Sequence, residues 1–232
     1  MKNLLNILLV LGCFVALNTN SQAQSSAIFI EEDISGSVEL TEEQSKKEET
    51  YIKRYLLPKL NFEPVIISVG FLFANSGSVL NNRTIEYEPK GSGNENQQNK
   101  FLAINKVIKT LKANTSRSNQ TQILATLKTI SKAASEHKSV SVLWLTDALE
   151  SSKIRELKLY SLQDAKQKGE TDAKKIMALY SLEKNTSAKV DFTCLLPLSQ
   201  TDEKREYQFI EEYWTTVLSH FFENFTLKFE LL

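Results

Sequence analysis

Four short apolar runs, rich in Ile, Val and Phe, recur along the chain with helix-patterned segments between them. Near-continuous apolar character is typical of strands that are covered on both faces of a parallel sheet. The runs lie at 26–32, 64–74, 139–146 and 189–198. Strands that alternate with helices predict an α/β fold, doubly wound around a mostly parallel central sheet that is flanked by helices.

Weaker patterns complete this prediction. An alternating run at 83–89 predicts an edge strand, and 226–232 predicts a last strand. The segment 152–184 predicts two helices, divided near Thr171 as an N-cap, and we interpret it as an insertion candidate. The polar run 91–100 predicts an exposed loop. Further helices are predicted at 41–60, 100–113, 121–137 and 205–225.

The first residues read as a secretory signal peptide, residues 1–23, ahead of one domain at 24–232. Lys2 is followed by an apolar stretch, and Ser21 and Ala23 have the spacing of a cleavage site. This predicts a periplasmic or extracellular protein with no transmembrane span after cleavage. An uncleaved anchor and a lipoprotein lipidated at Cys13 are the alternatives, but the apolar run continues beyond Cys13. Cys194 then has no partner for an internal disulfide.

The net charge of the chain gives no indication of a nucleic-acid partner. The 232 residues contain 28 Lys and Arg against 28 Asp and Glu, which gives a net charge of 0. A nucleic-acid-binding protein needs a basic excess or a basic patch, so no nucleic acid is predicted as a partner. Hydrophobic residues make up 41% of the chain, enough for a packed core.

Polar residues follow the first predicted strand at every second position. Asp33, Ser35 and Ser37 stand in the sequence DISGS, and alternate side chains of an extended backbone point the same way. One carboxylate and two hydroxyls supply hard oxygen ligands, which suit Mg²⁺, or else Mn²⁺ or Ca²⁺. The alternative is a capping aspartate with two turn serines.

Two more residues are expected near the same edge of the sheet. Asp147 ends the third apolar run in LWLTDALE, and Thr121 opens a predicted helix. Ligands in doubly wound sheets lie beyond the carboxyl ends of the strands, so these residues are candidates for the same crevice. For Asp147 the alternative is a helix N-cap.

Together these residues resemble the von Willebrand factor A domain family, whose metal-ion-dependent adhesion site has a D-x-S-x-S motif after the first strand. Asp33, Ser35 and Ser37 match that motif, Asp147 matches the aspartate that ends the fourth strand, and Thr121 matches the later threonine. Thr115 and Ser118 are nearby alternatives to Thr121. Ala148 departs from the family, which commonly has glycine there.

The resemblance implies a secreted, non-enzymatic module in which a bound divalent cation takes up an acidic side chain of a protein partner. One alternative is a scaffold of the same fold with a degenerate metal site, which binds partners through another face. A phosphatase-type hydrolase is a weaker alternative, since it needs a second aspartate where this chain has Ser35. The chain also contains no G-x-S-x-G and no phosphate-binding G-x-x-x-x-G-K-[ST] motif.

Overall fold

The structure is a computed structural model that describes most of the chain after the predicted signal peptide. The predicted signal peptide at 1–23, Ser37 and Thr115 lie outside the described residues. The described residues are 26–35, 40–61, 63–72, 83–91, 93–114, 118, 120–152, 155–197 and 204–232.

The described strands form one six-stranded sheet, and each predicted strand is present in it. The strands are β1 (Ser26–Asp33), β2 (Val65–Leu72), β3 (Arg83–Tyr87), β4 (Ser139–Leu145), β5 (Asn185–Leu196) and β6 (Phe222–Leu231). Their order is β3-β2-β1-β4-β5-β6, and every neighbouring pair is parallel except β2 and β3. The α/β prediction and the edge position of β3 are therefore confirmed, and β1 lies near the centre of the sheet.

Helices cover both faces of the sheet. They are α1 (Glu42–Leu56), α2 (Asn94–Lys112), α3 (Thr126–Glu136), α4 (Leu162–Tyr180) and α5 (Lys204–Phe221). Thr41 caps α1 with the reciprocal hydrogen bonds of a capping box to Gln44. Within the described part of the chain, none of these helices combines the length and apolar character that a bilayer crossing requires.

The core has two halves, one on each face of the sheet, because successive side chains of a strand point to opposite sides. Along β1, Ala27 and Phe29 pack into the half formed with α3, α4 and α5, whereas Ile28 and Ile30 pack into the half formed with α1 and α2. This accounts for the continuous apolar runs in the sequence, since both faces of the central strands are buried. Cys194 is a buried free thiol in β5.

The last helix presents an apolar stripe to the core. Tyr213, Trp214, Val217 and Leu218 of α5 are buried, and β6 begins at Phe222 with no residue between helix and strand. The sequence-based helix ran to 225 because phenylalanines continue the apolar spacing across this boundary.

The loop predicted at 91–100 is wrong from Asn94 onward, where α2 begins. Asparagine is a poor helix former, but Asn96 is buried and accepts a hydrogen bond of 2.7 Å from the Tyr87 hydroxyl. Asn99 also donates its side-chain amide to the Glu88 carbonyl. These tertiary contacts outweigh local propensity and extend the helix by two turns.

The two helices predicted within 152–184 are a single helix, α4, which is capped by Ser161. Thr171 lies inside it and donates its hydroxyl to the Gln167 carbonyl. Gly169, which reads as a break in the sequence, allows close packing: a Cβ there would lie 2.8 Å from the carbonyl oxygen of Tyr213 in α5. Because α4 joins the parallel neighbours β4 and β5, it serves as their crossover helix.

Candidate metal site

Asp33, the last residue of β1, is the hub of a buried polar cluster. Its side chain is only 4% exposed. Oδ1 accepts a hydrogen bond of 2.8 Å from the Ser35 amide, and Oδ2 accepts one of 2.7 Å from the Thr146 hydroxyl. The Thr121 hydroxyl lies 3.2 Å from Oδ1 and 3.1 Å from Oδ2. The structure therefore brings Asp33, Ser35 and Thr121 together.

Backbone pairing places the segment that carries Thr121 beside the end of β1. The Ser118 amide donates to the Ile34 carbonyl at 3.0 Å, and Thr121 exchanges two backbone hydrogen bonds of 2.9 and 3.0 Å with Ser151. The prediction that Thr121 opens a helix is wrong, since α3 begins at Thr126. A turn comes first, in which Ile123 and Leu124 are buried in the core.

Asp147 follows the end of β4 and is 2% exposed. Its Oδ1 accepts a hydrogen bond of 2.9 Å from the Leu149 amide, two residues on. Because this turn does not lead directly into a helix, the alternative interpretation of Asp147 as a helix N-cap is wrong. Thr146, whose hydroxyl donates a hydrogen bond to Asp33, was not predicted from the sequence as a site residue. Its signal was its position before Asp147, where the apolar run ends.

The electrostatics of the cluster favour a positive charge. Burial raises the pKa of the Asp33 carboxyl, and the nearby charge of Asp147 raises it further, while hydrogen bonds from Ser35 and Thr146 act in the opposite direction. Two neighbouring buried carboxylates are costly to keep ionised unless a cation compensates them.

The types of ligand atom fit a hard divalent cation. Carboxylate oxygens of Asp33 and Asp147 and hydroxyl oxygens of Ser35 and Thr121 are what Mg²⁺ prefers in proteins. Among the described residues there is no cluster of three or more His, Cys, Asp or Glu side chains that could hold a metal. A metal bound here would therefore depend on hydroxyl ligands as well as on the two carboxylates. The ligand set itself stays a prediction.

Ala148, the departure from the motif noted in the sequence, keeps the backbone conformation that glycine favours. Its φ is 62°, in the left-handed region. Its amide donates to the Thr146 hydroxyl at 3.2 Å, and its carbonyl accepts a hydrogen bond of 2.9 Å from Trp214 Nε1. The turn after Asp147 is thus held from both sides despite the Cβ.

We expect Ala148→Gly to change the free energy of unfolding by less than about 1 kcal/mol. Relief of left-handed strain, about 1–2 kcal/mol, opposes the loss of a buried methyl group and the added freedom of the unfolded chain. Ala173→Gly in the middle of α4 is the matched control, since Ala173 is also fully buried but helical. Urea unfolding should show the control to be less stable than Ala148→Gly by about 1 kcal/mol or more. Equal losses in both variants would contradict the strain argument.

A pocket of about 250 Å³ adjoins Asp33 between α1 and α2. Glu48 and Glu49 of α1 both line it but differ in environment. Hydrogen bonds from Lys112 and Lys53 lower the pKa of Glu49 to about 2. Burial alone raises the pKa of Glu48 to about 7. Among the described residues, no charged group therefore compensates the Glu48 carboxylate.

Glu48 is expected to make the protein less stable as the pH rises. Its pKa is about 7 in the folded chain against an ordinary value of 4.5, so its stabilising contribution is complete below pH 4.5 and is lost by about pH 7. We expect Glu48→Gln to raise the free energy of unfolding by about 2 kcal/mol at pH 8 and to change it little at pH 4.5. Urea unfolding at both pH values measures this, with Glu42→Gln, exposed on the same helix, as the control. A Glu48→Gln effect of equal size at both pH values would refute it.

No protein-family model and no curated protein matches the chain. Among solved structures, the chain is similar to one described as von Willebrand factor type A from Catenulispora acidiphila, with a TM-score of 0.42 and 12% sequence identity. The similarity covers 89% of this chain but only 39% of that one. Independently of this neighbour, the strand order and the helices on both faces of the sheet make the described chain an α/β Rossmann-like domain.

Proposed function

We propose that the chain is a secreted, non-enzymatic protein-binding module whose contacts depend on a divalent cation. The metal ligands would be Asp33, Ser35, Ser37, Thr121 and Asp147, the cation Mg²⁺ or else Mn²⁺ or Ca²⁺, and the partner a protein that supplies a carboxylate. The observation that carries the proposal is the contact of Asp33 with Thr121, which is 88 residues away and was singled out with it from the sequence.

The residues present account for how such a module would work. Asp33 and Asp147 would supply the negative charge that holds the cation, while the serine and threonine hydroxyls would fill coordination positions without adding charge. A metal with few charged protein ligands remains electrophilic and favours an outside carboxylate. The binding energy would then depend on the cation as a bridge between the two proteins.

Asp33→Asn is expected to abolish the rise in melting temperature that Mg²⁺ causes in the wild-type protein. The substitution keeps the size of the side chain but removes the charge at the hub of the cluster. At Mg²⁺ concentrations about 100 times the dissociation constant, binding stabilises a folded chain by about 2.7 kcal/mol, or several degrees in melting temperature. Differential scanning fluorimetry with increasing Mg²⁺, and with EDTA, measures the effect.

Glu136→Gln is the control, because Glu136 is an exposed acid at the far end of α3. It should keep the full Mg²⁺ response. A response retained in Asp33→Asn would reject this site. A wild-type protein with no Mg²⁺ response would reject the proposal and favour the scaffold with a degenerate metal site.

A further inference from the structure

Glu150 is a buried acid three residues beyond Asp147, and its side chain accepts hydrogen bonds from the segment that follows Thr121. The residue is 1% exposed. Its Oε2 accepts hydrogen bonds from the amides of Ile123 at 2.6 Å and Leu124 at 2.9 Å. These amides belong to the turn that precedes α3.

Backbone hydrogen bonds at Glu150 and at Ser151 also connect the loop after β4 to its neighbours. Its carbonyl accepts a hydrogen bond of 2.8 Å from the Leu157 amide, and the next residue, Ser151, is paired with Thr121 through two backbone hydrogen bonds. Glu150 thus joins the loop that carries Asp147 to the segment that carries Thr121. These two segments approach Asp33 from different parts of the chain.

The contribution of Glu150 to the stability of the fold does not by itself explain why a buried acid stands at this position. Burial raises the pKa of Glu150 to about 7, although hydrogen bonds from Ser152 and from the Leu124 and Ile123 amides act in the opposite direction. Among the described residues, no hydrogen-bond partner reaches its second oxygen, Oε1. Ionised burial therefore costs the fold free energy, while the Oε2 bonds satisfy two amides that would otherwise be buried without acceptors. What the residue provides is a fixed geometry between two loops.

We propose that Glu150 is a positioning residue of the metal site, which fixes Thr121 relative to Asp33 and Asp147 by holding the amides of Ile123 and Leu124. This inference rests on the proposed metal binding. It adds an electrostatic consequence: the amides of Ile123 and Leu124, in the turn just before α3, carry partial positive charge that would disfavour a cation bound by Thr121. Glu150 Oε2 accepts hydrogen bonds from both of these amides.

The test compares Glu150→Ala with Glu150→Gln. Alanine removes the acceptor, whereas glutamine keeps a carbonyl oxygen of the same reach. We expect Glu150→Ala to weaken Mg²⁺ binding about tenfold or more by isothermal titration calorimetry, and Glu150→Gln to stay within about threefold of the wild type. Amide hydrogen exchange at Ile123 and Leu124 should accelerate in Glu150→Ala and not in Glu150→Gln.

Val217→Ala separates positioning from general loss of stability, because Val217 is fully buried in α5. It should lower the melting temperature and leave Mg²⁺ affinity unchanged at a temperature where circular dichroism shows every variant folded. Wild-type affinity in Glu150→Ala, or an equal loss in Glu150→Gln, would overturn the inference while leaving the metal site in place. A wild-type protein that takes up no Mg²⁺ would overturn the proposed function and, with it, this inference.

Discussion

Trp214→Ala is expected to lower the free energy of unfolding by about 4 kcal/mol, within the range for truncating a buried tryptophan. Trp214 is fully buried in α5, and its ring centroid lies 5.0 Å from that of Trp144 in β4 and 5.1 Å from that of Tyr213. The variant would lose this aromatic packing and the hydrogen bond from Nε1 to the Ala148 carbonyl. Urea unfolding followed by circular dichroism measures the change.

Trp214→Phe separates packing from the hydrogen bond. It retains an aromatic ring but leaves the Ala148 carbonyl without this donor, so we expect a smaller loss of about 2 kcal/mol. Leu179→Ala on α4 is the control, since Leu179 is exposed, and it should cost less than about 0.5 kcal/mol. A loss below about 2 kcal/mol in Trp214→Ala would show that α5 does not anchor the loop after β4 as the structure indicates.

Arg155→Met is expected to lower the free energy of unfolding by about 3 kcal/mol. Arg155 binds Asp172 through two parallel hydrogen bonds of 2.7 Å, and the Asp172 side chain is only 2% exposed. The Tyr213 hydroxyl donates to the same carboxylate at 2.9 Å. Removing arginine leaves a buried charge with one neutral donor, which costs more than the pair itself contributes.

The double variant Arg155→Met with Asp172→Asn tests this explanation. Because it also removes the uncompensated charge, it should be more stable than Arg155→Met alone by about 1 kcal/mol or more. A double-mutant cycle in urea provides the coupling energy. The exposed pair Lys46 and Glu42 serves as the control, since such pairs contribute less than about 1 kcal/mol. Additive losses at Arg155 and Asp172 would contradict the interpretation.

The sequence predicted the elements whose signal is local. Each predicted strand is present because burial on both faces produces an apolar run that the sequence shows directly. The sequence also predicted Asp33 and Thr121 as candidates for one metal site, and the structure brings their side chains into contact. Boundaries that depend on distant partners were missed, as at Asn96, where the Tyr87 hydroxyl supplies the reason for a helix.

Thr146 and Glu150 show what the sequence could not reveal about the candidate metal site. A threonine at a strand end and a glutamate in a loop are common in any chain, so the position of Thr146 before Asp147 was only a weak signal and Glu150 had none. Their roles appear only when Thr146 meets Asp33 and Glu150 meets the amides of Ile123 and Leu124. The division predicted near Thr171 was wrong for the same reason, since the close packing that Gly169 allows is against another helix.

The central position of β1 has a consequence for how the protein is made. β1 pairs with both β2 and β4, and Asp33 bonds to Thr146 across 113 residues of chain. Contacts of such long sequence separation form slowly, because the intervening loop must close first. During synthesis, the Asp33 carboxylate cannot meet its Thr146 partner until β4 has emerged from the ribosome. The cluster around Asp33 can therefore form only once β4 is present, before β5 and β6 complete the sheet, and a chain interrupted before β4 would lack it.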